Sequence, residues 1–189
     1  MALEKNITQK KLVIFMPSIE GGGVEKNLFI ISNYLSTKLK RVYILTANFD
    51  QKKNFDSKIL FLIKNTNRWQ KYGRLIKTTI CLWYLFLFWI KNKNFSILSF
   101  QANIYVILFS IIFKIKIISR SNSAPEGWSK NFLKKIIFKN ILNKANKIIV
   151  NSFDFKKSLR KYFNLNSICI YNPLDSYRIN SLSKKKNKI

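Results

Sequence analysis

Histidine is absent from the 189 residues, and cysteine occurs twice, at Cys81 and Cys169. Without histidine no Ser-His-Asp or Cys-His set can form. Two isolated cysteines with no histidine leave no ligand set for zinc, so no metal is expected. Cys81 lies in an apolar run and Cys169 in a strand-like one, which suits buried thiols in a reducing compartment better than a disulfide framework. Acids are scarce as well, with eight Asp and Glu against 35 Lys and Arg. Acid–base chemistry would therefore fall to Glu20, Glu25, Glu126 or an aspartate. Long apolar runs are missing. The stretches 80–90 and 104–113 hold eleven and ten residues, against about 20 for a bilayer-spanning helix. The first apolar segment, Leu12 to Met16, is too short for a signal-peptide core. Both readings point to a cytoplasmic chain.

What is present is a hydrophobic content of 48% with scattered charge, as expected of one globular unit with a real core. The net charge of +27 invites an anionic partner: a phosphate-rich ligand, a lipid surface or nucleic acid. Only six of the cations are arginine, and the lysines come with abundant Asn and Ile. A coding bias spread over solvated faces explains that mixture equally well. Nucleic acid is disfavoured, because the aromatics sit inside apolar runs and no RNA- or DNA-binding signature occurs.

Short β-type runs alternate with longer helical ones. Strands are expected at 11–16, 41–47, 58–63, 95–100, 115–119, 147–151 and 167–171. Helices are expected from about 24 to 39, with Val24, Leu28, Ile31, Leu35 and Leu39 on one stripe, and at 69–91, 102–113, 129–144 and 153–163. This alternation calls for an α/β fold: a Rossmann-like, doubly wound, mainly parallel sheet with helices on both faces. The run 80–90 reads either as a core helix or as an interfacial one, with Trp83, Tyr84, Trp89, Lys77, Lys91 and Lys93 at a lipid headgroup layer.

Three of the five glycines, Gly21, Gly22 and Gly23, form one block in "PSIEGGGVEK", between the first strand and its helix. A strand, a glycine turn and a helix bring free N–H groups to the carboxyl edge of a sheet, where they can hold a phosphate. The block lacks the spacing of a dinucleotide fingerprint and the ending of a P-loop, so a plain turn stays open as the alternative. A second constellation, "RSNSAPEGW", follows a central strand. Arg120 suits phosphate or carboxylate, Ser121 and Asn122 suit hydroxyls, and Glu126 is one of the few acids. Ser129 is a candidate helix cap, as is Ser152, with Asp154 in the helical turn that follows it. "YNPLD" reads as a rigid exit, with Pro173 holding Asn172 extended.

These pieces, in order, resemble the N-terminal domain of glycosyltransferase family 4, two-domain GT-B enzymes that move a sugar from a nucleotide donor to an acceptor. The matching segments are "KLVIFMPSIEGGGVEKNLFIISNYLS", "SILSFQANIY", "IISRSNSAPEGWS", "ANKIIVNSFDFKKSL" and "CIYNPLD". Similar enzymes build lipopolysaccharide, capsule or other surface polysaccharide. The resemblance implies that Gly21, Gly22 and Gly23 approach the donor phosphates and that the segment with Arg120, Ser121, Asn122 and Glu126 lines the acceptor cleft; it assigns no catalytic residue, and Glu126 is a candidate on its side chain alone. It also implies that Asn172, Pro173 and Asp175 mark the crossover to a second domain. Where many members carry a histidine, this chain has Ser121 and Asn122, so no histidine-dependent step carries over.

The organisation so expected is an N-terminal extension at 1–10, the glycosyltransferase-like domain at 11–175, and a basic tail at 176–189 where a C-terminal domain would begin. The chain thus reads as the acceptor-binding half of a retaining enzyme, inactive alone and peripheral on the inner face of a membrane. Its partners would be a nucleotide-sugar, a lipid-linked or saccharide acceptor, an anionic membrane surface and the missing domain. It would need no cofactor. The alternative is a non-catalytic basic module for anionic membrane or nucleic acid.

Overall fold

The computed structural model describes residues 11–48, 52–64, 67–122 and 131–174. Seven strands form one sheet: β1 (Lys11–Phe15), β2 (Arg41–Leu45), β3 (Leu60–Phe61), β4 (Ser96–Ser99), β5 (Lys116–Ser121), β6 (Lys147–Val150) and β7 (Ile168–Cys169). Their spatial order is β3-β2-β1-β4-β5-β6-β7, and every pairing is parallel. The helices are α1 (Gly23–Lys38), α2 (Arg74–Lys91), α3 (Asn103–Ile112), α4 (Phe132–Leu142) and α5 (Phe153–Phe163). This is the expected Rossmann-like doubly wound fold.

The two-residue side-chain period of the strands divides the core. Val13 and Phe15, with Tyr43, Leu45, Ile97 and Ile117, face a cluster that includes Cys81 and Leu85 of α2, Val106 and Ile107 of α3, Leu142 of α4 and Leu159 of α5. Leu12 and Ile14, with Val42, Ile44 and Leu98, face the other side, where Leu28 of α1 and Ile59 meet them. Four helices therefore cover one face and α1 the other. The second face is completed by Phe29, Phe55 and Phe61, stacked edge to face at 4.9 and 5.3 Å.

Several boundaries differ from the sequence reading. The run 58–63 contributes only the two-residue strand β3, because it lies at the sheet edge and pairs on one side alone. The helix expected from 69 starts at Arg74, after Gly73 in an extended conformation. Arg120 and Ser121 belong to β5 instead of a loop, since their partners Ile149 and Val150 continue the ladder. The cap of α4 is Asn131, whose Oδ1 accepts the Leu133 and Lys134 amides; Ser129, the expected cap, lies outside the described residues. Ser152 caps α5 as expected, accepting the Phe155 amide at 3.1 Å.

Along 80–90, Cys81 and Leu85 are buried, Tyr84 and Trp89 half-buried, and Trp83 is 59% exposed. Lys77, placed at a headgroup layer in the interfacial reading, is instead buried at 5% exposure, its Nζ 3.5 Å from Ser18 Oγ. Among the described residues no helix is long and apolar enough to cross a membrane.

Candidate functional site

In an open parallel sheet the chain reverses direction between β1 and β4, and the connections leaving their carboxyl ends part to leave a crevice. Here that crevice is a cavity of about 600 Å³. Ser18 lines it from the loop after β1, Phe100 and Gln101 from the loop after β4, and Arg120, Ser121 and Asn122 from β5 and its end. Arg74, Leu75 and Thr78 of α2 and Tyr105 of α3 add to the wall.

The floor is held by polar ties between neighbouring connections. The Ser18 amide donates to Gln101 Oε1 at 3.3 Å, and Asn122 Nδ2 donates to the Phe100 carbonyl at 3.1 Å. Asn103 Nδ2 reaches the Arg120 carbonyl at 3.1 Å. Ala102, at the start of α3, takes φ 54, a left-handed conformation unusual for a residue with a Cβ. Three connections are thereby locked edge to edge, so the cavity is preformed.

The glycine block sits beside the cavity, joined to it through Ser18 and Val24. The three glycines differ in what a side chain would meet. Gly21 takes φ 91, which only glycine adopts freely. At Gly22 an added Cβ would stand 2.9 Å from Glu25 Oε2, whereas at Gly23 it would meet nothing within 4 Å. The Glu25 carboxylate folds back to accept the Gly22 amide at 2.8 Å and the Glu20 amide at 3.3 Å. Part of the loop's donor capacity is thus spent on the protein's own anion, and the approach at Gly23 stays open.

Glu20, one of the acid–base candidates, is committed elsewhere. Its Oε2 accepts from Arg74 Nη2 at 2.6 Å, and its Oε1 accepts from Ser18 Oγ at 2.7 Å. The Arg74 hydrogen bond, helped by Ser18, holds this carboxyl down to about 2, so it is a structural anion and a poor base at neutral pH.

Arg120 is the unusual member of the wall. It is only 2% exposed, and its Nη2 donates to Asn172 Oδ1 at 2.9 Å and toward the Ile170 carbonyl at 3.5 Å. Its Nε is buried with no hydrogen-bond partner. Burial lowers its affinity for the proton, and among the described residues no carboxylate offsets that.

Of the residues singled out in the sequence, Arg120, Ser121 and Asn122 converge on the cavity, and Asn172 reaches it through Arg120. Pro173 is half-buried beside Asn172. Glu126 and Asp175 lie outside the described residues. Sequence reading missed Ser18, Arg74, Gln101 and Tyr105 and named Lys77 only for a lipid surface; the charged pair on α2 had no local signal, being 54 or more positions from the loop it serves. Among the described residues no group of three or more His, Cys, Asp or Glu could hold a metal ion.

No protein-family model matches the chain, and no curated protein matches it in sequence. Solved structures do match in fold. HepE of Anabaena in complex with UDP aligns with a TM-score of 0.59 at 14% identity, over 95% of this chain and 50% of that one. HepE with UDP-glucose gives 0.56 at 15% identity, over 94% and 50%. UGT73P12 of Glycyrrhiza uralensis, complexed with glycyrrhetinic acid 3-O-monoglucuronide, gives 0.57 at 12% identity, over 86% and 49%. The chain spans about half the length of these structures, and its fold is that of one half of a GT-B glycosyltransferase.

Proposed function

We propose that this chain is the acceptor-binding half of a retaining, nucleotide-sugar-dependent glycosyltransferase of the family 4 kind, serving surface polysaccharide or lipopolysaccharide assembly. The observation that carries the reading is the preformed cavity at the β1/β4 crevice, in a fold shared with half of structures that hold UDP and UDP-glucose.

In this reading the acceptor lies in the cavity, against Tyr105 and Phe100, with Ser121, Asn122 and Gln101 meeting its hydroxyls. The donor diphosphate passes the open side of Gly23, and Gly21 and Gly22 shape the loop there. Catalysis comes from aligning donor and acceptor and from stabilising the leaving diphosphate. Asn172 and Pro173 lead toward a donor-binding domain, without which the chain does not turn over. A peripheral site on an anionic membrane accords with the net charge and with exposed Trp83, Leu87 and Ile90 on α2 and Leu108 and Ile112 on α3.

Saturation-transfer NMR on the purified chain tests this, with saccharides, UDP and UDP-glucose as ligands. Saccharide contact that perturbs the Ser121 and Asn122 amides, with no sugar transfer, is expected. Unaided transfer would refute the half-enzyme assignment. Tight, sequence-tolerant binding of single-stranded nucleic acid at physiological salt, with saccharides silent, would favour a basic binding module instead.

A further inference from the structure

We infer that Arg120 is an anion seat inside the cavity, and that the sugar received there carries its own negative charge, as a carboxylate or a phosphate substituent. This rests on the acceptor-binding reading and names the substrate class for it.

Arg120 is buried at the carboxyl end of β5 and is one of the residues that line the cavity. Among the described residues its contacts are neutral: Asn172 Oδ1, the Ile170 carbonyl, and the Phe100 ring with its centroid 5.9 Å from Cζ. Of the described acids on this edge of the sheet, Glu20 is engaged with Arg74 and Glu25 with the loop amides. A buried, uncompensated cation is unfavourable, and an apolar side chain would pack the same place at lower cost. Such a charge kept in the wall of a preformed cavity marks where a ligand supplies the missing sign.

Depth decides which part of the acceptor supplies it. A diphosphate tethered to a lipid stays at the cavity mouth, where Arg74 stands with its side chain 74% exposed. A charge that reaches Arg120 must travel with the sugar ring. Phe100, Tyr105 and Phe138 line the same space and supply aromatic rings to a pyranose, and Ser121, Asn122 and Gln101 add polar residues for its hydroxyls. Arginine's planar fork suits a carboxylate or phosphate oxygen pair.

The test is thermal unfolding and amide chemical-shift mapping of the 189-residue chain and its Arg120→Met variant. The ligands are glucuronate, glucose 6-phosphate, glucose and pyrophosphate at constant ionic strength. The variant removes one cation of 35, so the general attraction of the chain for anions is nearly unchanged. One acidic sugar is expected to raise the melting temperature of the parent chain by about 3–6 °C at tenfold excess over Kd. Which one does so tells carboxylate from phosphate. Glucose should give no comparable shift, and neither ligand shift nor Ser121 and Asn122 perturbation should survive in Arg120→Met.

Equal response in parent and variant overturns the inference, as does an absence of any acidic-sugar response beyond that of glucose. An Arg120-dependent response to pyrophosphate alone also overturns it, assigning the seat to a diphosphate. If Arg120→Met unfolds too early to compare, Arg120→Lys and the parent's shift map decide on the same criteria. Acidic-sugar binding through Arg120 without transfer in any complete enzyme would retain the seat and remove the glycosyltransferase reading. Undiminished transfer to a neutral acceptor would do the reverse.

Discussion

Arg120 Nη2 donates to Asn172 Oδ1 at 2.9 Å across 52 residues of chain, tying the end of a central strand to the segment that leaves the sheet after β7. The cavity wall and the segment after β7 therefore share one hydrogen bond, and a ligand that pulls on Arg120 also acts on Asn172.

Asn172→Ala should lower stability by about 1.5–3 kcal/mol, the range for a hydrogen bond to a charged group. For a chain of this size that is a fall of roughly 3–12 °C in melting temperature. Urea unfolding gives the first figure and calorimetry the second. No change would mean that the tie is dispensable in the isolated chain.

The three glycines should separate by mutation. Gly21→Ala is strained at φ 91 and should cost on the order of 1–3 kcal/mol. Gly22→Val drives a side chain into the Glu25 carboxylate and should also destabilise. Gly23→Ala, with open space around its Cβ and a place in the first turn of α1, should be neutral or stabilising by up to about 1 kcal/mol. If a donor phosphate passes Gly23, the same variant should lose transfer in the complete enzyme. Full turnover there would reduce the glycine block to a turn.

The Glu20–Arg74 pair makes a pH prediction. The folded carboxyl sits at about 2, below its ordinary 4.5. Its stabilising contribution is thus complete above pH 4.5 and lost as pH falls toward 2. Because both side chains are largely solvated, the effect should be below about 1 kcal/mol. Carboxyl NMR titration should place Glu20 low in the parent chain and nearer its ordinary value in Arg74→Ala.

The two thiols should differ in reactivity. Cys81 is fully buried and burial pushes its ionisation up, while Cys169 is half-buried; both are free. A thiol reagent at pH 8 should modify Cys169 in the native chain and reach Cys81 only on unfolding. Rapid native labelling of Cys81 would show that α2 opens readily from the sheet.

The alternation of β-branched runs with 3.6-periodic ones was enough to order the strands and helices, because the central strands bury both faces and each helix one stripe. Element lengths were less legible. β3 is short because an edge strand has one neighbour, and Arg120 joined β5 because its partner strand extends that far. Neither fact is local. Lys77 was misplaced for the same reason: its neighbours in sequence are those of a helix end, and only the packing of α2 over the loop after β1 buries it against Ser18.

By itself the sequence determined the fold class, the glycine turn after β1, the Ser152 cap and the convergence of a few chemically suited residues on one sheet edge, since these follow from periodicity and local backbone chemistry. Only the tertiary structure decided which charges are compensated. Arg74 found Glu20 and Arg120 found Asn172 in place of an acid, because long-range packing brings together side chains that no spacing along the chain connects.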